Sequence, residues 1–454
     1  MDNKGFISEL VAKARVAQKE FEKFNQQQVD EVVKAIAKVV YDNAVDLARL
    51  AVDETRMGVF EDKIKKNQGK AKIIWNSLKT KKSVGIINYN EKTGVVEVAK
   101  PMGVVGVVTP CTNPIVTPMC NVMFALKGRN SIIIAPHPRA KKCARRVVDL
   151  FNQAISQYNV PENLIQLIDE PSVEITGELM KAVDVTVATG GMGMVKAAYS
   201  SGKPAYGVGA GNVQCIIDRN VNIKEAIPKI VAGRIFDNGI ICSGEQTIIM
   251  HEDDYDIIIS ELKANGAYYI EDAAEKDKLR KVMFIDGVMN RDVVGQPITK
   301  VAELAGIKIP DGTKLIAVKA DGIGREDVFC REKMCSVIAI FTYKTFEQAV
   351  EIANANLEVE GKGHSISIHS DNKDNIEYAA NTVPVSRVLI NQICSTMNGG
   401  SFFNGFAPTT TLGCGSWGNN SISENLDYKH LINITRIGYF MKDAKVPTDE
   451  EMWG

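Results

Sequence analysis

Of the nine dispersed cysteines, Cys242 stands where a thiol can react. Residues 236–246 read Phe-Asp-Asn-Gly-Ile-Ile-Cys-Ser-Gly-Glu-Gln, between an expected helix and an expected strand, so Cys242 falls on a short loop flanked by Gly239 and Gly244. A thiol held on such a loop can be exposed, and neighbouring backbone N–H groups can lower its pKa and receive an oxyanion. That is the chemistry of covalent catalysis through a thioester or thiohemiacetal. A buried loop cysteine fits the same local features. The remaining cysteines, at 111, 120, 143, 215, 330, 335, 394 and 414, form no CxxC pair and show no zinc-ligand spacing to histidine. An odd, scattered set reads as reduced thiols, mostly small core hydrophobes. Two glycine clusters are further candidates. Thr189, Gly190, Gly191 and Gly193 follow an expected strand and open a helix, where backbone can approach an anionic ligand. The GxGxxG fingerprint is absent, and a tight strand–helix turn explains them equally well. Gly207, Gly209 and Gly211 form a second, equally ambiguous cluster.

The elements that must position these groups follow from periodicity. Residues 7–58 carry apolar residues at helical spacing, with no glycine or proline before Gly58. Residues 85–103 are β-rich and predict a hairpin or extended arm. Expected strands at 104–109, 131–135, 164–168 and 183–188 alternate with expected helices at 115–126, 139–157 and 173–182, the pattern of a parallel, doubly wound sheet. A second series follows, with strands at 213–217, 246–250, 336–341, 365–369 and 387–390 and helices at 223–236, 346–355 and 375–381. The apolar, β-branched tail 431–440 reads as a strand that leaves the body to pair elsewhere. At 454 residues the chain exceeds one hydrophobic core. A net charge of -1 gives no reason to expect nucleic acid. No apolar run is long enough to span a membrane, and the N-terminus lacks the apolar stretch of a signal peptide, so a cytoplasmic protein is expected.

Longer motifs carry a resemblance. The segment 237–246, the stretch Thr411-Leu412-Gly413-Cys414-Gly415-Ser416-Trp417-Gly418 with Ser421-Ile422-Ser423-Glu424-Asn425, and Ile134-Ala135-Pro136-His137-Pro138-Arg139-Ala140 resemble the aldehyde dehydrogenase family. Within it they resemble the CoA-acylating branch, including the aldehyde half of bifunctional aldehyde-alcohol dehydrogenases. The likeness runs from about residue 10 to the end, without an alcohol dehydrogenase half, and implies a stand-alone enzyme. It implies an α/β fold of two Rossmann-like parallel-sheet domains with a small β oligomerisation arm. Residues 1–84 and 104–212 would form the cofactor-binding domain, 213–425 the catalytic domain, and 85–103 with 426–454 the elements of a homodimer or homotetramer.

The resemblance also implies roles. Cys242 is the expected nucleophile and Asn113 the oxyanion amide, although Asn113 before Pro114 also suits a helix N-cap. Cofactor contacts are expected at Thr109, Pro110, His137, Arg139, Thr189, Gly190, Gly191 and Gly193, with Glu332 on the nicotinamide ribose. Hydrolytic relatives carry a water-activating Glu where Gly207 stands here, so the acyl group is expected to leave on the thiol of coenzyme A. His364 matches a histidine of the acylating branch and is a candidate for CoA deprotonation or positioning. Further stretches, such as Thr117-Pro118-Met119-Cys120-Asn121 and Gly405-Phe406-Ala407-Pro408, resemble the members acting on succinyl-CoA and succinate semialdehyde. A distal carboxylate needs a cation or hydroxyls, for which Lys70, Ser243 and Thr410 are candidates; a solvated lysine in a Lys-rich segment fits Lys70 as well. Reduction of acetyl-CoA or another short acyl-CoA is the alternative. Arg139, Lys141 and Lys142, with no acid near residues 136–139, lean toward NADP over NAD, although a solvated helix face fits these basic residues equally.

Overall fold

The structure, a computed structural model, describes residues 2–454. The helical N-terminal pattern becomes four helices, Asn3–Phe21, Gln26–Asp42, Ala44–Thr55 and Phe60–Leu78. Asp2 caps the first, and a reciprocal Asn25/Gln28 capping box starts the second. Their apolar faces, including Val29, Val33, Ile36 and Ile74, pack onto the first sheet's helices.

That sheet has five parallel strands in the order Ile165–Leu167, Ser131–Pro136, Val104–Thr109, Val185–Thr189 and Ala205–Val208. Val104–Thr109 and Ser131–Pro136 are buried at every position, as strands covered on both faces must be. The second sheet has seven parallel strands, ordered Ala267–Ile270, Leu315–Lys319, Val337–Tyr343, Thr247–His251, Gln214–Ile217, Ile366–His369 and Val388–Ile390. Ala205–Val208, Ala267–Ile270 and Leu315–Lys319 are absent from the expected elements. Runs of four or five apolar residues have no period that separates a buried strand from a helix.

The tail corrects one expectation. Ile432–Gly438 does not leave to pair elsewhere: it lies antiparallel along Val95–Pro101 of its own arm, through seven residue pairs. With Gly85–Asn90 on the other side it forms a three-stranded sheet, where Arg436 bonds Glu97 across the strands. No helix among the described residues is long and apolar enough to cross a membrane.

Candidate active site

The Cys242 loop is built under local strain. After the helix Ile223–Ile235, Asp237, Asn238 and Gly239 take φ values of 52°, 54° and 71°. Two consecutive non-glycine residues in the left-handed region need tertiary support. The buried Asp237 carboxylate supplies it, accepting from the Val59 N–H at 2.8 Å and Lys63 Nζ at 3.1 Å and pairing with Lys66. Gly239 has no room for a side chain, since a Cβ would stand 2.3 Å from Arg234 Nη2. The fully buried Arg234 donates to the carbonyls of Gly239 (2.7 Å), Glu245 (3.0 Å), Lys333 (2.6 Å) and Cys335 (2.6 Å). One guanidinium thus ties both ends of the loop to the segment carrying Glu332, using the several donors that only arginine has.

On one side Cys242 opens onto a cavity of about 410 Å³. Asn113, Lys70, Ser243 and Thr410 line it too, so the structure brings the expected nucleophile, amide and acyl-chain residues together. Three lysines line this cavity, and no aspartate, glutamate or histidine does. Asn113 is not a side-chain cap: its Oδ1 accepts from Lys66 Nζ at 2.8 Å, while its backbone carbonyl accepts from the Thr117 N–H. Lys70 is no solvated surface lysine. Its ammonium donates to the carbonyls of Gly399 (2.8 Å) and Thr409 (3.2 Å), and burial pulls its pKa down to about 8. Ser243 Oγ donates to the Ser395 carbonyl at 3.1 Å, whereas Thr410 Oγ1 has no partner among the described residues.

The other side is crowded. A Cβ on Gly211 would stand 1.9 Å from the Cys242 carbonyl oxygen and 3.3 Å from His364 Nε2. Val208, Leu412 and Cys414 pack against Cys242, which explains part of the 411–418 motif. Arg387 holds that motif, donating to the carbonyls of His364 and Gly413 and to Asn425 Oδ1. His364 is fully buried, does not line the cavity, and has no partner for either ring nitrogen among the described residues. Burial pulls its pKa down to about 3, so it is a neutral imidazole behind the loop. Its Nε2 lies beside the contact between Gly211 and the Cys242 carbonyl.

The thiol departs from expectation. Burial first, and then the nearby Glu332 carboxylate, push the Cys242 pKa up to about 12, so the backbone does not make it a resting thiolate. Glu332 accepts from the Gly211 N–H at 3.3 Å, and burial pushes its own pKa up to about 8. Gly207 is closed as well as bare: a Cβ there would lie 2.7 Å from Val195 Cγ1 and 2.9 Å from Tyr199 Cε2.

The remaining candidates gather at the carboxyl edge of the five-stranded sheet, where open parallel sheets take ligands. Thr109, Pro136 and Thr189 end adjacent strands, Pro110 follows directly, and the His137 N–H bonds the Thr109 carbonyl. Gly191 caps the helix Met192–Tyr199 with no side-chain bond, and Cβ atoms on Gly190, Gly191 or Gly193 would meet nothing within 4 Å. This open turn at a helix start fits the anionic part of a dinucleotide. The basic cluster is less free than its sequence implies. Lys141 is paired with Glu170, Arg139 reaches the Thr55 carbonyl, and Glu54 accepts from the N–H groups of Lys142 and Cys143 at the helix start.

Lys66, Asp237 and Arg234 are absent from the expected site, and Gly211 stood only in the ambiguous second glycine cluster. Lys63, Lys66 and Lys70 do share a signal, since their i, i+3, i+7 spacing puts them on one helix face. Asp237 lies in the 237–246 motif, but nothing in the sequence shows its pairing with Lys63 and Lys66, and Arg234 has no local signal, because their partners lie far off in sequence.

A cysteine on a glycine-flanked loop, beside an asparagine amide and an open strand–helix turn, is an arrangement that suits covalent dehydrogenase chemistry, and the comparisons show the family. The aldehyde dehydrogenase family model matches residues 3–277. The chain is 55% identical to the succinate-semialdehyde dehydrogenase (acetylating) of Clostridium kluyveri, over the full length of both. An acetylating aldehyde dehydrogenase from Geobacillus thermoglucosidasius superposes with a TM-score of 0.94 at 38% identity, covering 98% of each chain. A propionaldehyde dehydrogenase of Rhodopseudomonas palustris, solved with bound CoA and an acylated cysteine, superposes at 0.84 with 28% identity, covering 95% of this chain and 97% of that one. The chain belongs to the aldehyde dehydrogenase family, and within it to the CoA-acylating oxidoreductases. Enzymes of this branch use NAD(P) and coenzyme A.

Proposed function

We propose that the chain catalyses the reversible NAD(P)H-dependent reduction of succinyl-CoA to succinate semialdehyde and CoA. The observation that carries this is the cavity wall, where a half-buried Lys70 ammonium rests on two carbonyls with no carboxylate to balance it. A substrate carboxylate completes such a site. Ser243 and Thr410 would add hydroxyls to the same anion.

Cys242 sulfur attacks the thioester carbonyl, giving a tetrahedral oxyanion that the Asn113 amide and the Cys242 N–H hold. The C–S bond to coenzyme A breaks, CoA leaves with the electron pair and takes up the proton that the Cys242 thiol gave up, and the acyl group stays on Cys242. Bound NAD(P)H supplies the hydride that reduces this thioester. Asn113 then holds the thiohemiacetal oxygen until the bond to Cys242 breaks and free aldehyde leaves. With no acid lining the cavity and the place above Gly207 filled, no side chain there activates water. The acyl group therefore transfers between thiols.

The cradle at Thr109, Pro110, His137, Thr189, Gly190, Gly191, Gly193 and Glu332 would hold the dinucleotide. A preference for NADP over NAD rests on Arg139 and the exposed Lys142, because Lys141 is engaged by Glu170. We also place the 1–84 and 104–212 segments in cofactor binding and 213–425 in catalysis, in a cytoplasmic homodimer or homotetramer. The two unpaired outer strands of the small sheet support self-association, which sedimentation of the intact protein checks.

The test is NADPH and NADH oxidation against a panel of acyl-CoAs. Succinyl-CoA should give the highest kcat/KM. Lys70→Ala should lower that value about 100-fold, as loss of one partner of a buried charge pair does, and leave acetyl-CoA nearly unchanged. Equal losses for both substrates, or faster wild-type turnover of acetyl-CoA, would favour the acetaldehyde reading.

A further inference from the structure

Lys66 stands one helical turn before Lys70, yet it meets the cavity differently. Its ammonium donates to Asn113 Oδ1 at 2.8 Å, pairs with Asp237 Oδ2, and lies 5.9 Å from the centre of the Phe236 ring. Asp237 is completely buried and Lys66 nearly so, and the Val59 N–H and Lys63 fix the carboxylate from behind. Gly58 leaves the space for this arrangement, since a Cβ there would stand 2.0 Å from Asp237 Oδ1.

An ammonium can only donate, so the oxygen of the Asn113 amide must face Lys66. Its NH₂ group then becomes the free end, and it has no partner among the described residues. A primary amide turned over would offer an oxygen to the oxyanion and repel it. We propose that Lys66, held by Asp237, is a positioning residue that keeps the Asn113 N–H donors available to the oxyanion formed at Cys242. The proposal rests on the reading of Cys242 and Asn113 above. It also assigns a purpose to the strained turn at residues 237–239: the turn that aims the nucleophile supplies the carboxylate that aims its oxyanion donor.

The test compares two reactions of the same thiol in the full-length enzyme. Single-turnover release of CoA from succinyl-CoA or acetyl-CoA passes through an oxyanion. Alkylation of Cys242 by iodoacetamide, which displaces iodide, does not. Removing an oxyanion donor costs ~100- to 1,000-fold, and loosening one should cost about 10- to 100-fold. Lys66→Met is expected to slow CoA release by that factor with both acyl-CoAs and leave alkylation within about twofold, while Lys66→Arg, which keeps a donor, restores most of the rate. Asp237→Asn, which keeps the shape and loosens Lys66, should act in the same direction. In an Asn113→Ala background Lys66→Met should add less than about twofold. Equal slowing of CoA release and alkylation overturns the proposal, as do multiplying effects in the double variant or a loss confined to succinyl-CoA. Wild-type CoA release in Asn113→Ala alone would instead overturn the reading of Asn113.

Discussion

On one side of the Cys242 loop the wall is glycine, and on the other it is lysine. Toward the five-stranded sheet, Gly211 lets two backbones touch at the Cys242 carbonyl, and Gly190, Gly191 and Gly193 leave open space at a helix start. Toward the acyl cavity, Lys63 and Lys66 share Asp237, while Lys70 has only carbonyls. Glycine gives close approach to a large, planar, anionic cofactor. Lysine gives charge where a small substrate ends. The two glycine clusters differ from each other as well: the one at 190–193 is empty above, and the one at 207–211 is filled by Val195, Tyr199, Met192 and the Cys242 loop.

The largest test of this contrast lies at Gly211. Gly211→Ala must displace the Cys242 carbonyl, 1.9 Å from the added Cβ, and a shift near 1 Å at a nucleophile costs ~100-fold. CoA release should therefore fall by about that factor. Gly191→Ala meets open space and should change kcat by less than about threefold, its effect falling on cofactor KM. Similar kinetic losses in the two variants would erase the distinction between the clusters.

A smaller effect is expected at Glu332. Its carboxylate is the leading charged group raising the Cys242 pKa, and its own pKa is about 8. Glu332→Gln should make cofactor-free enzyme alkylate several-fold faster at pH 9, with a smaller gain at pH 7, where the wild-type acid is largely protonated. Cofactor-dependent turnover should fall in the same variant. An alkylation rate equal to wild type at both pH values would show that burial alone sets this thiol.

The smallest effect concerns Lys70 and pH. Its lowered pKa, about 8, means that the ammonium is present at pH 7 and mostly lost at pH 9. The ratio of kcat/KM for succinyl-CoA to that for acetyl-CoA should drop several-fold between those values. A flat ratio would remove Lys70 from recognition of the acyl chain.

Four of the five strands of the first sheet and five of the seven of the second were legible from the alternation of strand-length and helix-length segments, whereas 205–208, 267–270 and 315–319 were not, because short apolar runs have no period that marks them as strands. Cys242 was legible through its glycine-flanked loop and the motif around it. The state of its thiol was not, since burial and Glu332 reach it from another part of the chain. His364 was legible as a family residue, yet its low pKa and place behind the loop come from packing. Arg139, Lys141 and Lys142 looked like a phosphate site until Glu170 and Glu54, 29 or more residues away in sequence, took up part of their bonding.

By itself the sequence determined the two α/β series, a cysteine on a glycine-flanked loop and a glycine at position 207; the roles read for Cys242 and Gly207 came from the resemblance to the family. These are local patterns or single residue identities. Only the tertiary structure decided that the tail pairs with its own arm, that Lys70 is a half-buried cation without an acid, and that Lys66 and Asp237 stand behind Asn113. Each depends on desolvation and on partners from distant segments, and both arise only when the chain folds.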